Sequence, residues 1–246
     1  MNPVLSEYTT KAESALLQEL DGDGYAVIED LPDQAAAMGV VQSIGSLIPQ
    51  YHGASTHEVT YRAGNDDRAY SQSANTIRAH TEAPGWNPSP AYLALFCHRQ
   101  ASCGGGHTDL LDVRRVVEHL DAAEIALLTS AELHFPGPAE GITTTMVGSA
   151  ADGRQITRFS YNLLTAGDYD PVLDDRVDAS LLPLGEAGRQ LADHVSAIFQ
   201  EHRTSVLIPE NALLIWDNQR MMHARSAYTD KARHLTRFWC ADGRRG

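Results

Sequence analysis

The chain has 246 residues, 19 Lys plus Arg against 32 Asp plus Glu, and a formal charge of -13. That length builds one ordinary domain with a full core, and the acid excess disfavours a nucleic-acid partner, because phosphate wants a basic surface. Three scattered cysteines, no apolar run of membrane-spanning length and a first segment without the basic head and apolar run of a signal peptide make no disulfide framework, no membrane span and a cytoplasmic setting the expectations.

Periodicity predicts a helix over 10–20, with Leu16, Leu17 and Leu20 on one side, then a short strand at 24–28. Leu31-Pro32-Asp33 breaks the chain before a helix over about 34–47. A strand at 56–62 precedes a Gly/Asn/Asp turn at 64–67, and a loop over 68–90 surrounds a short strand near 76–82. Ala91 to Cys97 reads as a strand, Cys103 to Gly106 as a turn and Thr108 to Val113 as a strand, followed by a helix over about 114–128. Two strands flank Asp152-Gly153. The stretch 163–183 is loop-like and acidic, with Asp168, Asp170, Asp174, Asp175 and Asp178. A helix spans about 186–202, and strands at 204–208, 212–217, 220–226 and 233–240 close the chain.

Strands and helices do not alternate regularly, so a mainly β barrel or jelly roll with added helices fits better than a doubly wound sheet. No linker divides the chain, and one domain over 1–246 is expected, with a helical part over about 1–50 packed on the β core.

The eleven histidines are the pointed feature of the composition. His-x-Asp/Glu occurs three times, at His80-Thr81-Glu82, His107-Thr108-Asp109 and His119-Leu120-Asp121, where composition alone predicts between one and two. His119 falls in a predicted helix, where residues two apart diverge. His80 and His107 lie near strands, where residues i and i+2 share a face and can offer imidazole and carboxylate to one ion. A third ligand is available in His223, after the apolar strand ALLIWD. A hairpin closed around Asp230 would set His223 opposite Arg237. Two histidines and a carboxylate with open positions suit non-haem iron(II), and a nearby arginine suits a carboxylate co-substrate. On spacing alone, satisfied core or surface histidines are the favoured reading of His80 and His223.

Between about residues 76 and 240 the chain resembles the TauD/TfdA and clavaminate synthase-like iron(II)/2-oxoglutarate-dependent dioxygenases. The resemblance lies in His80-Thr81-Glu82, the strand Pro90 to Cys97, the run Gly104 to Asp112, the run Trp216 to Arg225, and Arg237. It implies a double-stranded β-helix, the cupin-like jelly roll. It also implies His80, Glu82 and His223 as ligands of catalytic Fe(II). Thr108, 28 positions after His80, and Arg237, 14 after His223, are implied to hold the far carboxylate of 2-oxoglutarate. His107 is then left as a neighbour supporting the site or as a structural residue.

O2 is the other implied co-substrate, and succinate and CO2 the co-products. Related halogenases carry Gly or Ala where this chain has Glu82, so oxygenation is implied. Glu in place of the commoner Asp resembles the branch of clavaminate synthase and of hydroxylases of free amino acids such as arginine and asparagine. Hydroxylation of an unactivated C–H in a free amino acid or similar small molecule is therefore the expected reaction. Arg158, Asp168, Asp170 and Arg225 are candidate substrate contacts, and Trp216, Phe238 and Trp239 are expected in the core. The alternatives are oxidation, desaturation or ring closure of a small acid lacking an amine, and a non-catalytic jelly roll that binds a small ligand.

Overall fold

The computed structural model describes residues 3–50, 53–150, 153–173 and 177–245. Helices α1 (Pro3–Gly22) and α2 (Gln34–Ile44) flank strand β1 (Tyr25–Ile28). Asp33 caps α2 by accepting from the Ala36 amide, which explains why the helix starts after the Leu-Pro-Asp break. Strands β2 (Thr56–Thr60), β3 (Ile77–His80), β4 (Tyr92–Arg99) and β5 (Thr108–Asp112) follow. Next come α3 (Val113–Val117) and α4 (Ala122–Ser130). Strands β6 (Glu132–Phe135), β7 (Ile142–Thr145), β8 (Val147–Ser149) and β9 (Gln155–Thr157) form two small ribbons, β6 with β7 and β8 with β9. Helices α5 (Tyr161–Ala166) and α6 (Gly185–His202) lead to β10 (Thr204–Val206), β11 (Leu213–Asp217), β12 (Met221–Arg225) and β13 (His234–Cys240).

Two antiparallel sheets carry the architecture, one ordered β1-β11-β4-β13-β2 and one ordered β10-β5-β12-β3. The first sheet is apolar on both faces, and period-two alternation assigns each residue to a side. Leu93, Cys97, Leu214, Trp216, Leu235 and Trp239 point inward, where Leu110 of the second sheet meets them. Ala94, Phe96, Leu213, Ile215 and Phe238 point outward onto Leu16 and Leu20 of α1 and Val41 and Ile44 of α2. The helical N-terminal part therefore covers the outer face of the large sheet. Trp216, Phe238 and Trp239 are fully buried, as expected.

The outer face of the second sheet is covered by α6. Its Leu191, Val195, Ile198 and Phe199 pack with Ala79, Leu111, Met222 and Ala224. The alternate residues of β5 and β12 then face the interior, Thr108 and Leu110, and Met221, His223 and Arg225, and on β3 His80 does so as the direct partner of His223.

Three expectations are corrected. Strand β12 pairs with β3 and β5, whereas β13 pairs with β4 and β2, so His223 and Arg237 stand on different sheets. The connection between them does not fold back as a hairpin, because it is pinned sideways: the Ser226 amide donates to His107 O and the Tyr228 amide to Ala74 O. The helix expected over 114–128 is two helices, because Asp121 and Glu124 form a capping box that starts a new one. Finally, 163–183 is not all loop, since α5 runs to Ala166, with Ser160 capping it and Gly167 ending it in the left-handed conformation. Asp152, Asp174 and Asp175 lie outside the described residues.

Candidate active site

His80 ends β3 and His223 sits in the middle of β12, and the two are direct partners in the ladder. Their rings lie 4.1 Å apart between centroids. Glu82 follows β3 after one residue, and its Oε2 is 3.8 Å from Nε2 of both histidines. The three donor atoms lie within 4.8 Å of one another. His80 Nδ1 lies 2.9 Å from the Arg78 carbonyl, which makes it the protonated nitrogen and leaves the Nε2 lone pair facing Glu82 and His223.

The segment that carries Glu82 is held from three sides. The Thr81 amide donates to Phe159 O, and the Phe159 amide to Thr81 Oγ1 at 3.1 Å. Asn218 accepts from the Glu82 amide at 2.7 Å and donates to Glu82 O and Pro90 O, both at 3.0 Å. Ala83 then takes φ of 50°, a conformation that costs a residue with a Cβ about 1 kcal/mol. The Asn218 side chain, 1% exposed, spends its three hydrogen bonds fixing this bend. From the sequence, Asn218, two residues after the apolar run Ala212 to Trp216, is expected to be structural and to pair with the backbone or with a carboxylate near the site, and it pairs with the backbone.

Arg237 Nη1 is 2.7 Å from Glu82 Oε1, opposite the oxygen that faces the histidines. Gln50 grips the same residue twice: it accepts from Arg237 Nε at 2.9 Å and donates to Arg237 O at 3.0 Å. Burial alone would raise the Glu82 carboxyl, but Arg237, His80 and His223 outweigh it and hold it down at about 2. Burial, reinforced by His80, keeps His223 well below the ordinary histidine range. The cluster therefore offers two imidazole nitrogens, one of them held neutral, and one carboxylate, which is the donor set that non-haem iron(II) takes. The residues fit the metal.

Thr108 is buried on β5 and shares a face with Leu110, which belongs to the same interior cluster as Leu235 and Trp239, the residues two positions either side of Arg237 on β13. Thr108 and Arg237 thus face one interior from opposite sheets.

Beside the cluster opens a cavity of about 420 Å³. Its wall includes His80, Glu82 and Arg237, with Tyr70, Arg78, Trp86, Pro138, Tyr169 and Asp170. Part of the rim is a backbone-to-backbone contact: a Cβ on Gly85 would sit 1.8 Å from Pro136 O, so only glycine lets these loops close.

The four candidate substrate contacts are placed differently. Asp170 lines the cavity, and burial, with the nearby Glu82 and Asp168 charges, raises its carboxyl to about 6. Asp168 is exposed and accepts from the Asp170 amide at 3.2 Å, ordering that loop without lining the cavity. Arg158 is buried and donates to Trp86 O at 2.8 Å and to Pro84 O, so it braces the cavity wall from behind. Arg225 is buried and donates to Ser71 O, Ser73 O and Asn75 O at 2.8, 2.8 and 2.6 Å, which ties down the loop before β3. Besides Arg237, the cation that lines the cavity is Arg78, whose guanidinium carbon lies 5.2 Å from the centre of the Tyr161 ring. Sequence reading missed it because an exposed arginine two residues before a histidine carries no special pattern.

A jelly roll that gathers two imidazoles, a carboxylate and an arginine between its sheets defines a non-haem iron, 2-oxoglutarate-type oxygenase. The sequence matches the family model of taurine catabolism dioxygenase TauD, TfdA family, over residues 4–135 and 154–239. The chain belongs to this family. Curated protein sequences contain no significant match.

Among solved structures, asparagine oxygenase in complex with Fe(II), hydroxyasparagine and succinate superposes with a TM-score of 0.73 at 17% identity, over 94% of this chain and 79% of that one. The non-heme iron oxygenase OrfP, with Fe, succinate and a dihydroxy-L-Arg, gives 0.65 at 13% identity, over 96% and 80%. PvcB from Pseudomonas aeruginosa gives 0.64 at 14%, over 93% and 79%. These similarities establish the double-stranded β-helix as the fold. The enzyme's co-reactants are iron(II) and 2-oxoglutarate.

Proposed function

We propose that this chain hydroxylates a free amino acid or a similar small zwitterion, acting as one catalytic domain. The observation that carries the reading is the pairing of opposite charges around one cavity: Arg78 and Asp170 both line the space into which His80 and Glu82 open. An α-carboxylate matches Arg78, and an amine or guanidinium matches Asp170. The cavity volume suits a small molecule.

In this reading His80, Glu82 and His223 hold the iron, and Arg237 with Thr108 holds the far carboxylate of 2-oxoglutarate. Iron, when bound, supplies the oxidising power that 2-oxoglutarate and O2 release together. The chain's own residues position and exclude. Gln50 keeps Arg237 aimed inward, and Asn218 keeps the Glu82 main chain in place. Trp86, Pro138 and Tyr169 form a wall that limits water. Glu82, held at about 2, stays ionised at any physiological pH, so the metal charge is met by a carboxylate without proton exchange. Cytoplasmic residence belongs to the same reading: Cys97, Cys103 and Cys240 are all free thiols, and no described helix is long and apolar enough to cross a membrane.

The test is succinate release from 2-oxoglutarate by the iron-loaded enzyme across the twenty amino acids and their simple derivatives. Stimulation by at least one amino acid, with loss of that stimulation in Asp170→Asn, is expected. Stimulation only by acids without an amine would contradict the substrate class while leaving the oxygenase class intact.

A further inference from the structure

Two of the histidines without a role in the active site meet a carboxylate on the opposite side of the large sheet. Glu58 of β2, His98 of β4 and His234 of β13 each offer a donor atom, and these atoms lie within 4.8 Å of one another. Alternation explains the meeting. Val59, Cys97 and Leu235 point inward, so Glu58, His98 and His234 point outward. The ladder adds a second cause. Leu235 pairs with Cys97 and His234 with Arg99, which leaves His98 as an extra, bulged residue between them. A bulge re-aims the side chain it carries.

The cluster has more order than a surface ion pair needs. His234 Nε2 lies 2.5 Å from Glu58 Oε2, and the His98 and His234 rings stack at 4.3 Å and 25°. Beneath them Thr236, wholly buried, places its hydroxyl 2.8 Å from His98 Nε2 and 3.2 Å from both Glu58 Oε1 and Gln34 Oε1. A hydroxyl held this way fixes the ring plane of one imidazole and the carboxylate at once, as partners outside a metal's ligands do. An isolated exposed pair is worth little and would need one histidine, not two stacked ones. The outward side stays open: the His234 and Glu58 side chains are 41% and 44% exposed, which leaves room for water to complete a coordination shell.

We propose that Glu58, His98 and His234 form a second metal site, separate from the oxygenase centre, for a divalent transition ion of the zinc class. Two imidazoles and one carboxylate favour zinc, nickel or copper over magnesium or calcium, which prefer oxygen donors. The ion would tie β2, β13 and β4 together across the outer face of the sheet, whose edge strand is β2. No redox step is involved.

The test is metal content of the full-length protein after equilibrium dialysis against buffered zinc, with the melting temperature followed in parallel. Wild type should take up two equivalents. His80→Ala should keep one, and His98→Ala/His234→Ala should keep one. Combining all three substitutions should leave none. Zinc should raise the melting temperature of His80→Ala, and that rise should vanish when His98 and His234 are also replaced. Glu58→Gln preserves shape and should weaken the second equivalent at least tenfold without changing the metal-free melting temperature. One equivalent in wild type, a second equivalent that survives His98→Ala/His234→Ala, or an unchanged affinity in Glu58→Gln would each overturn the proposal, whatever the substrate of the oxygenase centre.

Discussion

Asn218 and Asp170 show how two residues that bind no metal set what the metal residues do. Asn218 closes the bend after Glu82 from both the amide and the carbonyl side. Asn218→Ala leaves both groups buried without that partner, which costs about 1–3 kcal/mol of stability. It should also weaken iron(II) or cobalt(II) binding by roughly 10–100-fold, the usual effect of losing an outer support of a ligand. Denaturant unfolding and anaerobic metal titration measure the two separately.

Asp170 works through its charge. Its carboxyl is raised from 3.8 to about 6 in the folded enzyme, so the folded state holds a proton that the unfolded chain has lost between those values. Stability contributed by this group therefore falls as pH rises from about 4 to 6. Above pH 6 Asp170→Asn should melt higher than wild type yet bind a cationic substrate about 10–100-fold more weakly, the value of a hydrogen bond to a charged group. In wild type, kcat/KM for such a substrate should climb through pH 6, and Asp170→Asn should flatten that climb.

At the scale of elements, periodicity reads well where one face is plainly apolar. Strands β4, β11 and β13 and helix α6 fall close to their expected spans, because both sheets bury alternate residues against a helix layer or an interior. The misses have physical causes. Strand β6 and helix α5 are too short to show a period, and the break between α3 and α4 depends on a cap rather than on hydrophobicity. The failed hairpin is the instructive case. Spacing placed His223 near Arg237, and both do reach Glu82, but from separate sheets. Residue types and order showed the metal cluster, whereas Gln50, Arg78 and Asn218 depend on contacts across 136 to 187 positions or on a cavity that no local pattern reports.

Helix α6 supplies the layer that backs β3 and β12. Phe199→Ala, at a site with no exposure, should cost about 3–5 kcal/mol, read as a fall in the denaturation midpoint. Since Phe199 packs on the outer face of that sheet, the folded variant should still bind iron(II) and 2-oxoglutarate.

For the whole molecule, two sheets with separate outer layers enclose one largely apolar interior, and the active-site charges converge beside it. The acid excess that opened the sequence is mostly surface; Glu82 and Asp170 are the acids that line the reaction cavity. Arg237 links the halves, since it stands on the large sheet and contacts the carboxylate that belongs to the small one.

The central claim is that His80, Glu82 and His223 hold the iron while Arg237 helps hold 2-oxoglutarate. Its most direct test is visible absorption of the protein mixed without O2 with Fe(II) and 2-oxoglutarate. Wild type should show a weak charge-transfer band that requires both components. The band should be absent in His80→Ala and in Arg237→Ala, each checked for folding by circular dichroism. A band retained in both variants would contradict the assignment.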